Sequence, residues 1–204
     1  ESDYVLSKKL TTDEYIHHIS CLVSDLRKMN QLINGLLELA HLNRSNNLLM
    51  TPLRIDEPIL NAIRSVKAKY PGRKIRLNFE YPENEENLLI KGNLELLEIV
   101  FRNILDNALK FSEEEVEVIL EITGKLILIR ITDQGIGIPS DETVRILKPF
   151  ERGSNARFIG GFGIGLSIVK QIIQLHSADF QIKIRKNQGT SVEIFFKKEA
   201  LESD

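Results

Sequence analysis

The sequence has little cysteine, no tryptophan and no excess of charge of either sign. One cysteine, Cys21, excludes an internal disulfide and a cysteine-based zinc cluster within this stretch of chain. The formal net charge is -2, so the chain is not expected to bind nucleic acid through its phosphates. The apolar clusters near Leu36 and Ile127 are far shorter than the roughly 20 residues that a membrane-spanning helix needs. We therefore expect this stretch to be soluble and cytoplasmic.

The first part of the chain has a heptad pattern. Between Leu10 and about Asn46, apolar residues are spaced by alternating fours and threes, which predicts one long helix. The stripe comprises Tyr15, Ile19, Leu22, Leu26, Met29, Ile33, Leu36 and Ala40. Thr11 or Thr12, followed by two acidic residues, supplies a start signal for this helix. Because further apolar residues widen the stripe beyond a two-stranded seam, we expect a helical bundle, with helices from a second copy of the chain.

From residue 48 onward the pattern changes to that of a mixed α and β domain. Polar residues at 43–47 mark the junction. The periodicity beyond it predicts helices over about 57–70, 92–111 and 163–176, and strands over about 74–81, 88–90, 116–123, 126–132, 180–185 and 191–197. Gly124 and Lys125 are typical of a tight hairpin turn. The predicted fold class is α+β, a two-layer sandwich in which a mixed sheet is covered on one face by about three helices.

Two amides and a lysine share one face of the predicted helix over 92–111. Asn103 and Asn107 are four residues apart, and Lys110 and Phe111 follow one turn later. An amide oxygen is a reasonable ligand for Mg²⁺, and an ammonium beside it can contact phosphate oxygens. By itself this pattern is more typical of a solvated helix face.

Two glycine-containing segments carry the other candidate residues. In TDQGIGIP, Asp133, Gly135 and Gly137 directly follow a predicted strand, so a ligand could approach the backbone while the carboxylate accepts a hydrogen bond. In IGGFGIGLSIVKQI, glycines lead into a helix, whose first amides favour an anion. The glycines of this segment are Gly160, Gly161, Gly163 and Gly165. Dinucleotide and P-loop fingerprints are absent, and an ordinary turn and a mobile connection remain as alternatives for the two segments.

The order of these segments resembles the N, G1 and G2 boxes of the GHKL superfamily of ATP-binding domains. Between the last two, KPFERG contains Phe150 and resembles the F box of histidine kinases. The resemblance implies that Asn107 binds the Mg²⁺ that bridges the phosphates, that Asp133 reads the adenine amino group, and that a lid covers the site. In that lid Arg152 reaches toward the γ-phosphate, whereas a solvated position is favoured for Arg157. The implied ATP-binding residues are Asn103, Asn107, Lys110, Phe111, Asp133, Gly135, Gly137, Phe150, Arg152, Gly161, Gly163, Gly165 and Leu166.

The resemblance also implies a reaction. In the hydrolysing branches of the superfamily a glutamate stands at the position of Asn103, and an asparagine cannot act as a general base. Transfer of the γ-phosphoryl of ATP to a histidine is therefore expected, with Asn103 and Lys110 as catalytic residues and ATP and Mg²⁺ as cofactors. An ATP-hydrolysing switch and a non-catalytic nucleotide-binding dimerisation module are the alternatives.

None of the four histidines lies in a phosphoacceptor motif. His17 and His18 precede isoleucine and serine, His41 lies near the helix end, and His176 lies in the second domain. Residues 1–47 are therefore interpreted as part of a dimerisation and phosphotransfer segment without its acceptor, and residues 48–204 as the catalytic domain. We expect a homodimer through the N-terminal helix, a response regulator as partner, a membrane-anchored parent sensor, and no autophosphorylation by this stretch alone.

Overall fold

The computed structural model describes residues 11–23 except 13 and 17, residues 49–156, residues 159–185 and residues 189–199. The chain divides into two compact units, Glu1–Ala40 and His41–Asp204. Among the described residues, no helix is both long enough and apolar enough to cross a membrane.

In the first unit, the described residues from Thr12 to Val23 are helical. Thr11 and Glu14 form a capping box, in which the Thr11 amide donates to Glu14 Oε2 over 2.8 Å and the Glu14 amide donates to Thr11 Oγ1 over 3.4 Å. This matches the predicted start. The large apolar side chains of this segment are exposed, namely Tyr15, Ile16, Ile19, Leu22 and Val23. The rest of the predicted stripe, from Leu26 to Ala40, lies outside the described residues.

The second unit alternates strands and helices. Its strands are β1 (Thr51–Arg54), β2 (Ile75–Phe79), β3 (Leu89–Gly92), β4 (Val116–Thr123), β5 (Leu126–Thr132), β6 (Asp179–Arg185) and β7 (Gly189–Lys197). Its helices are α1 (Asp56–Lys69), α2 (Leu94–Phe111) and α3 (Gly165–Leu175), with short 3₁₀ turns at Glu85–Leu88, Arg145–Leu147 and Ser154–Ala156.

The strands form one five-stranded sheet and one small ribbon. The sheet has the order β2-β4-β5-β7-β6, and β1 and β3 pair separately as an antiparallel ribbon. β2 runs parallel to β4, whereas the other neighbours are antiparallel, so the sheet is mixed. In the register of β5 and β7, Thr132 lies opposite Ser191. The end of β5 therefore lies beside the start of β7.

The helices cover one face of this sheet. α2 contacts β4 and β5, α3 contacts β6, and the inward side chains of β4, Val116, Val118 and Leu120, are fully buried. The other face carries charged pairs, among them Glu193 with Arg130 over 3.0 Å and with Lys183 over 2.7 Å. The predicted α+β class with a mixed sheet is confirmed.

Helix α2 begins later than predicted because of its cap. The side chain of Asn93 accepts a hydrogen bond from the Leu96 amide over 3.1 Å, so Asn93 is the N-cap and the first helical residue is Leu94 rather than Gly92. Seven apolar side chains of α2 are buried: Leu97, Val100, Phe101, Ile104, Leu105, Ala108 and Leu109. This buried stripe leaves the opposite, polar face of α2 for other contacts.

Helix α3 also begins later than predicted, at Gly165 rather than Gly163. Gly161 and Gly163 have φ values of +128° and +72°, a region that a right-handed helix does not include. The glycines therefore form an irregular entry to α3.

Candidate functional site

Asn103 lies where α2 approaches the start of α3. Its Nδ2 donates to the Ile99 carbonyl over 2.8 Å. A Cβ atom placed on Gly165 would lie 2.7 Å from Asn103 Oδ1, so a side chain at residue 165 would displace the Asn103 amide. The structure thus brings the N-box and G2-box segments together at this pair of residues.

Asn107 and Lys110 lie on the same polar face of α2. Both are half-buried. Within the described part of the chain, the Asn107 side chain has no hydrogen bond and Lys110 no salt bridge. The Lys110 ammonium lies 4.9 Å from the centre of the Phe111 ring. Burial lowers the pKa of Lys110, and the charges of Arg152 and Lys69 add to this effect while Asp106 opposes it.

The glycine-rich entry to α3 passes close to this lysine. A Cβ on Gly161 would lie 2.5 Å from Lys110 Nζ. Ile164, at the N-cap of α3, makes no side-chain cap, so the first amides of the helix at Gly165 and Leu166 have no capping group. A half-buried cation without a salt bridge to any described residue and an uncapped helix start both favour an anionic ligand such as phosphate.

Asp133 follows β5 and is buried, with 7% of its surface exposed. Its Oδ1 accepts hydrogen bonds from the Gly135 amide over 2.8 Å and from the Thr190 amide over 3.2 Å. Burial raises the pKa of Asp133, although these two hydrogen bonds act in the opposite direction. Its Oδ2 accepts no hydrogen bond from the residues that the structure describes, which leaves that atom for a ligand.

The segment from Asp133 to Gly137, here called the G1 loop, packs on the end of α2. The Ile136 amide donates to the Phe111 carbonyl over 3.2 Å. A Cβ on Gly135 would lie 2.2 Å from the same carbonyl oxygen, so a side chain is excluded there. Phe111 therefore contributes its backbone to the site as well as its ring.

Gly189 and Thr190 belong to the site and were not predicted. The Asp133 amide donates to the Thr190 carbonyl over 2.9 Å, and a Cβ on Gly189 would lie 2.1 Å from the Asp133 carbonyl oxygen. Both residues belong to β7, which begins at Gly189, so the predicted strand over 191–197 starts two residues too late. The signal was the Gly-Thr pair at the start of β7, which runs antiparallel to β5, the strand that Asp133 follows.

The F box and the G2 box meet at the base of a segment whose described residues are 150–156 and 159–163, here called the lid. The Phe150 amide donates to the Gly163 carbonyl over 3.0 Å, and Phe150 has a φ of +67° and is 55% exposed. Arg152 donates to the carbonyls of Ala156 and Ile159, so its guanidinium braces the lid. A contact of Arg152 with phosphate stays a prediction, and Arg157 lies outside the described residues.

No group of three or more His, Cys, Asp or Glu side chains that could hold a metal occurs among the described residues. A metal bound beside Asn107 would therefore take most of its ligands from phosphate oxygens and water, which is how Mg²⁺ is commonly held.

Comparison with known proteins identifies the domain. Residues 92–200 match the family described as histidine kinase-, DNA gyrase B-, and HSP90-like ATPase. Over 180 residues the chain is 32% identical to the signal transduction histidine-protein kinase ArlS of Staphylococcus aureus, covering 85% of this chain and 39% of ArlS. It is 29% identical over 180 residues to the sensor histidine kinase YkoH of Bacillus subtilis, covering 87% of this chain and 38% of YkoH. The chain thus spans well under half the length of these relatives.

Solved structures agree with this result. The mycobacterial sensor histidine kinase MprB superposes with a TM-score of 0.64 at 26% identity, over 74% of this chain and 99% of that one. Full-length ShkA in complex with AMPPNP superposes with a TM-score of 0.71 at 22% identity, over 96% of this chain and 41% of that one, and shows the shared fold. The chain therefore belongs to the histidine kinase-, DNA gyrase B- and HSP90-like ATPase family, as a catalytic domain of the sensor histidine kinase type.

Proposed function

We propose that this chain is the ATP-binding catalytic portion of a sensor histidine kinase, which transfers the γ-phosphoryl of Mg-ATP to a histidine for relay to a response-regulator aspartate. The observation that carries the proposal is Asp133, a buried carboxylate whose Oδ1 is held by two backbone amides. Its Oδ2 is left to accept a hydrogen bond from the adenine amino group. A guanine, with a carbonyl at that position, would face the carboxylate with an acceptor.

The phosphates would lie between α2 and the entry to α3. Lys110 supplies a half-buried positive charge that forms no salt bridge with the residues described, and the uncapped amides at the start of α3 supply hydrogen-bond donors. Asn107 would hold Mg²⁺ through its amide oxygen, and Asn103 stands beside it on the same helix face. When bound there, Mg²⁺ would neutralise phosphate charge and orient the γ-phosphoryl group. These roles rest on the donors available and on the family.

Phosphoryl transfer suits this site better than hydrolysis. Asn103 cannot take a proton from water, and its amide is already bonded to Ile99 and packed against Gly165. Transfer to an external nucleophile relies mainly on positioning and charge neutralisation, which Lys110, Asn107 and the start of α3 can supply.

The first unit of the chain supports a proposal for dimerisation. The N-terminal helical segment carries exposed apolar residues, among them Ile16 and Ile19 at 58% each, and these fit a helical homodimer. The acceptor histidine would be supplied by a segment outside residues 1–204, in a membrane-anchored parent sensor, and this stretch alone would not autophosphorylate.

Calorimetry with ATP and Mg²⁺ tests the first step. We expect saturable binding by the wild type and none by Asp133→Ala, because the adenine amino group loses its acceptor. Wild-type affinity in Asp133→Ala would show that the pocket is misassigned, and no binding at millimolar ATP would favour a non-catalytic module.

A phosphate-release assay tests the second step. A histidine kinase fragment should release almost no phosphate from ATP in the absence of an acceptor. Steady turnover that disappears in Asn107→Ala would instead identify a hydrolysing switch.

A further inference from the structure

Two side chains hold the 3₁₀ turn Ser154–Ala156, here called the lid turn. Glu142 is 9% exposed, and its Oε2 accepts the Ser154 amide over 2.8 Å. Asn155 Nδ2 donates to the Gly137 carbonyl over 3.0 Å and to the Ile136 carbonyl over 3.3 Å. The lid turn is thus tied to the G1 loop by Asn155.

The local backbone is adapted to Asn155. A Cβ on Gly153 would lie 2.9 Å from Asn155 Oδ1, so a side chain at residue 153 would displace the amide. The Ala156 amide donates to the Gly153 carbonyl over 3.0 Å and closes the turn. These contacts orient the Asn155 amide group so that its nitrogen faces the two carbonyls.

The G1 loop keeps its own supports when Asn155 is removed. The Gly135 amide is bonded to Asp133 Oδ1, and the Ile136 amide is bonded to the Phe111 carbonyl. Removal of the Asn155 side chain therefore leaves the surroundings of Asp133 intact. What is lost is the attachment of the lid turn to the loop beside it.

We propose that Asn155 is a positioning residue that fixes the lid to the G1 loop and thereby retains the phosphate-bearing part of the nucleotide. The inference rests on the proposed ATP-binding function and deepens it. Arg152, which donates to the carbonyls of Ala156 and Ile159, extends the tie from the lid turn toward Gly160 and Gly161, where a Cβ on Gly161 would lie 2.5 Å from Lys110 Nζ. Asn155 thus affects the binding of the phosphates, although it contacts the G1 loop, which lies beside the proposed adenine contact of Asp133.

Calorimetry should compare Mg-ATP, Mg-ADP and adenosine with the full chain, its Asn155→Ala and Asn155→Asp variants, and Asn78→Ala. Asn78 is an exposed asparagine on the edge strand β2 and serves as the matched control. Loss of two neutral hydrogen bonds in Asn155→Ala should weaken Mg-ATP and Mg-ADP about threefold to tenfold. Asn155→Asp should weaken them more, because its carboxylate would face two carbonyl oxygens. Adenosine affinity and the melting temperature without nucleotide should equal those of the control.

Two results would overturn the inference while leaving the proposed function standing. In the first, Asn155→Ala binds all three ligands as the wild type does. In the second, adenosine affinity falls together with the affinity for both nucleotides, which would show that Asn155 supports the base pocket instead. Failure of the wild type to bind any of the three ligands would reject the proposed function itself and this inference with it.

Discussion

At the scale of single residues, Asp133 combines burial with two backbone hydrogen bonds to one of its oxygens. Its raised pKa means that the ionised carboxylate is less favourable in the folded chain than in the unfolded one, so above the unfolded pKa this charge lowers stability. A residue held in this way is typical of a binding site, where stability is given up for recognition.

The Asp133→Asn variant should separate recognition from stability. An asparagine can keep both backbone bonds through Oδ1, whereas its amide nitrogen would face the adenine amino group as a second donor. We expect ATP affinity to fall at least about tenfold. The free energy of unfolding at neutral pH, measured with urea, should be equal to that of the wild type or higher. A marked loss of stability would contradict this account.

Gly189 offers a second prediction at this scale, with Gly124 as the matched control. Both have positive φ, +88° and +57°, but only Gly189 has a backbone atom in the place of a Cβ. Gly124→Ala should lower the free energy of unfolding by about 1–2 kcal/mol from backbone strain alone. Gly189→Ala should lower it by about 3–5 kcal/mol, because overlap with the Asp133 carbonyl adds to the strain. Equal losses in urea unfolding would show that the backbone there can shift.

At the scale of elements, His176 joins the end of α3 to the start of α2. Its Nε2 accepts a hydrogen bond from the Asn93 amide over 3.0 Å, and its Nδ1 lies 2.7 Å from the Ile172 carbonyl, so the ring is neutral with the proton on Nδ1. Burial lowers the pKa of His176, although the two backbone bonds oppose this. Since Asn93 caps α2, this histidine helps to place the helix that carries Asn107 and Lys110.

This contact gives a pH dependence with a defined sign. The folded pKa lies below the unfolded value of about 6.5, so the stability contributed by neutral His176 is present above that value and is lost as the pH falls below it. The wild type should therefore lose about 1 kcal/mol relative to His176→Gln between about pH 7 and pH 5.5. Urea unfolding of both proteins across this range measures the difference, and a constant difference would exclude the proposed role of His176.

The helices of the second unit and its strands other than β1 were predictable from the sequence to within a few residues, because apolar spacing distinguishes strands from helices. The ends of the helices were harder to predict. Asn93 caps α2, and the positive φ values of Gly161 and Gly163 delay the start of α3. Neither effect is visible in the spacing of apolar residues. The site was predictable where it depends on side-chain type, as for Asp133. The site was not predictable where it depends on backbone groups, such as the carbonyl of Phe111 and the amide of Thr190.

At the scale of the whole molecule, the proposed site draws on segments that are far apart in the chain. α2, the G1 loop, the lid and the start of β7 all contribute, so ligand binding should stabilise the second unit as a whole. At a concentration of 100 times its dissociation constant, Mg-ATP should add about 2.7 kcal/mol to the free energy of unfolding. Calorimetric scans with and without Mg-ATP measure this, and Asp133→Ala, which should show no such gain, is the control. Stabilisation of the variant by the same amount would point to binding elsewhere.

The position of β7 has a consequence for how the protein is made. Of the seven strands that the structure describes in this unit, β7 is synthesised last, yet it lies inside the sheet, between β5 and β6. A nascent chain that has emerged only as far as β6 has no neighbour for that strand, and Asp133 still lacks the amide of Thr190. The sheet is therefore completed from its interior, and the ability to retain a nucleotide should appear only when synthesis of the domain is nearly finished.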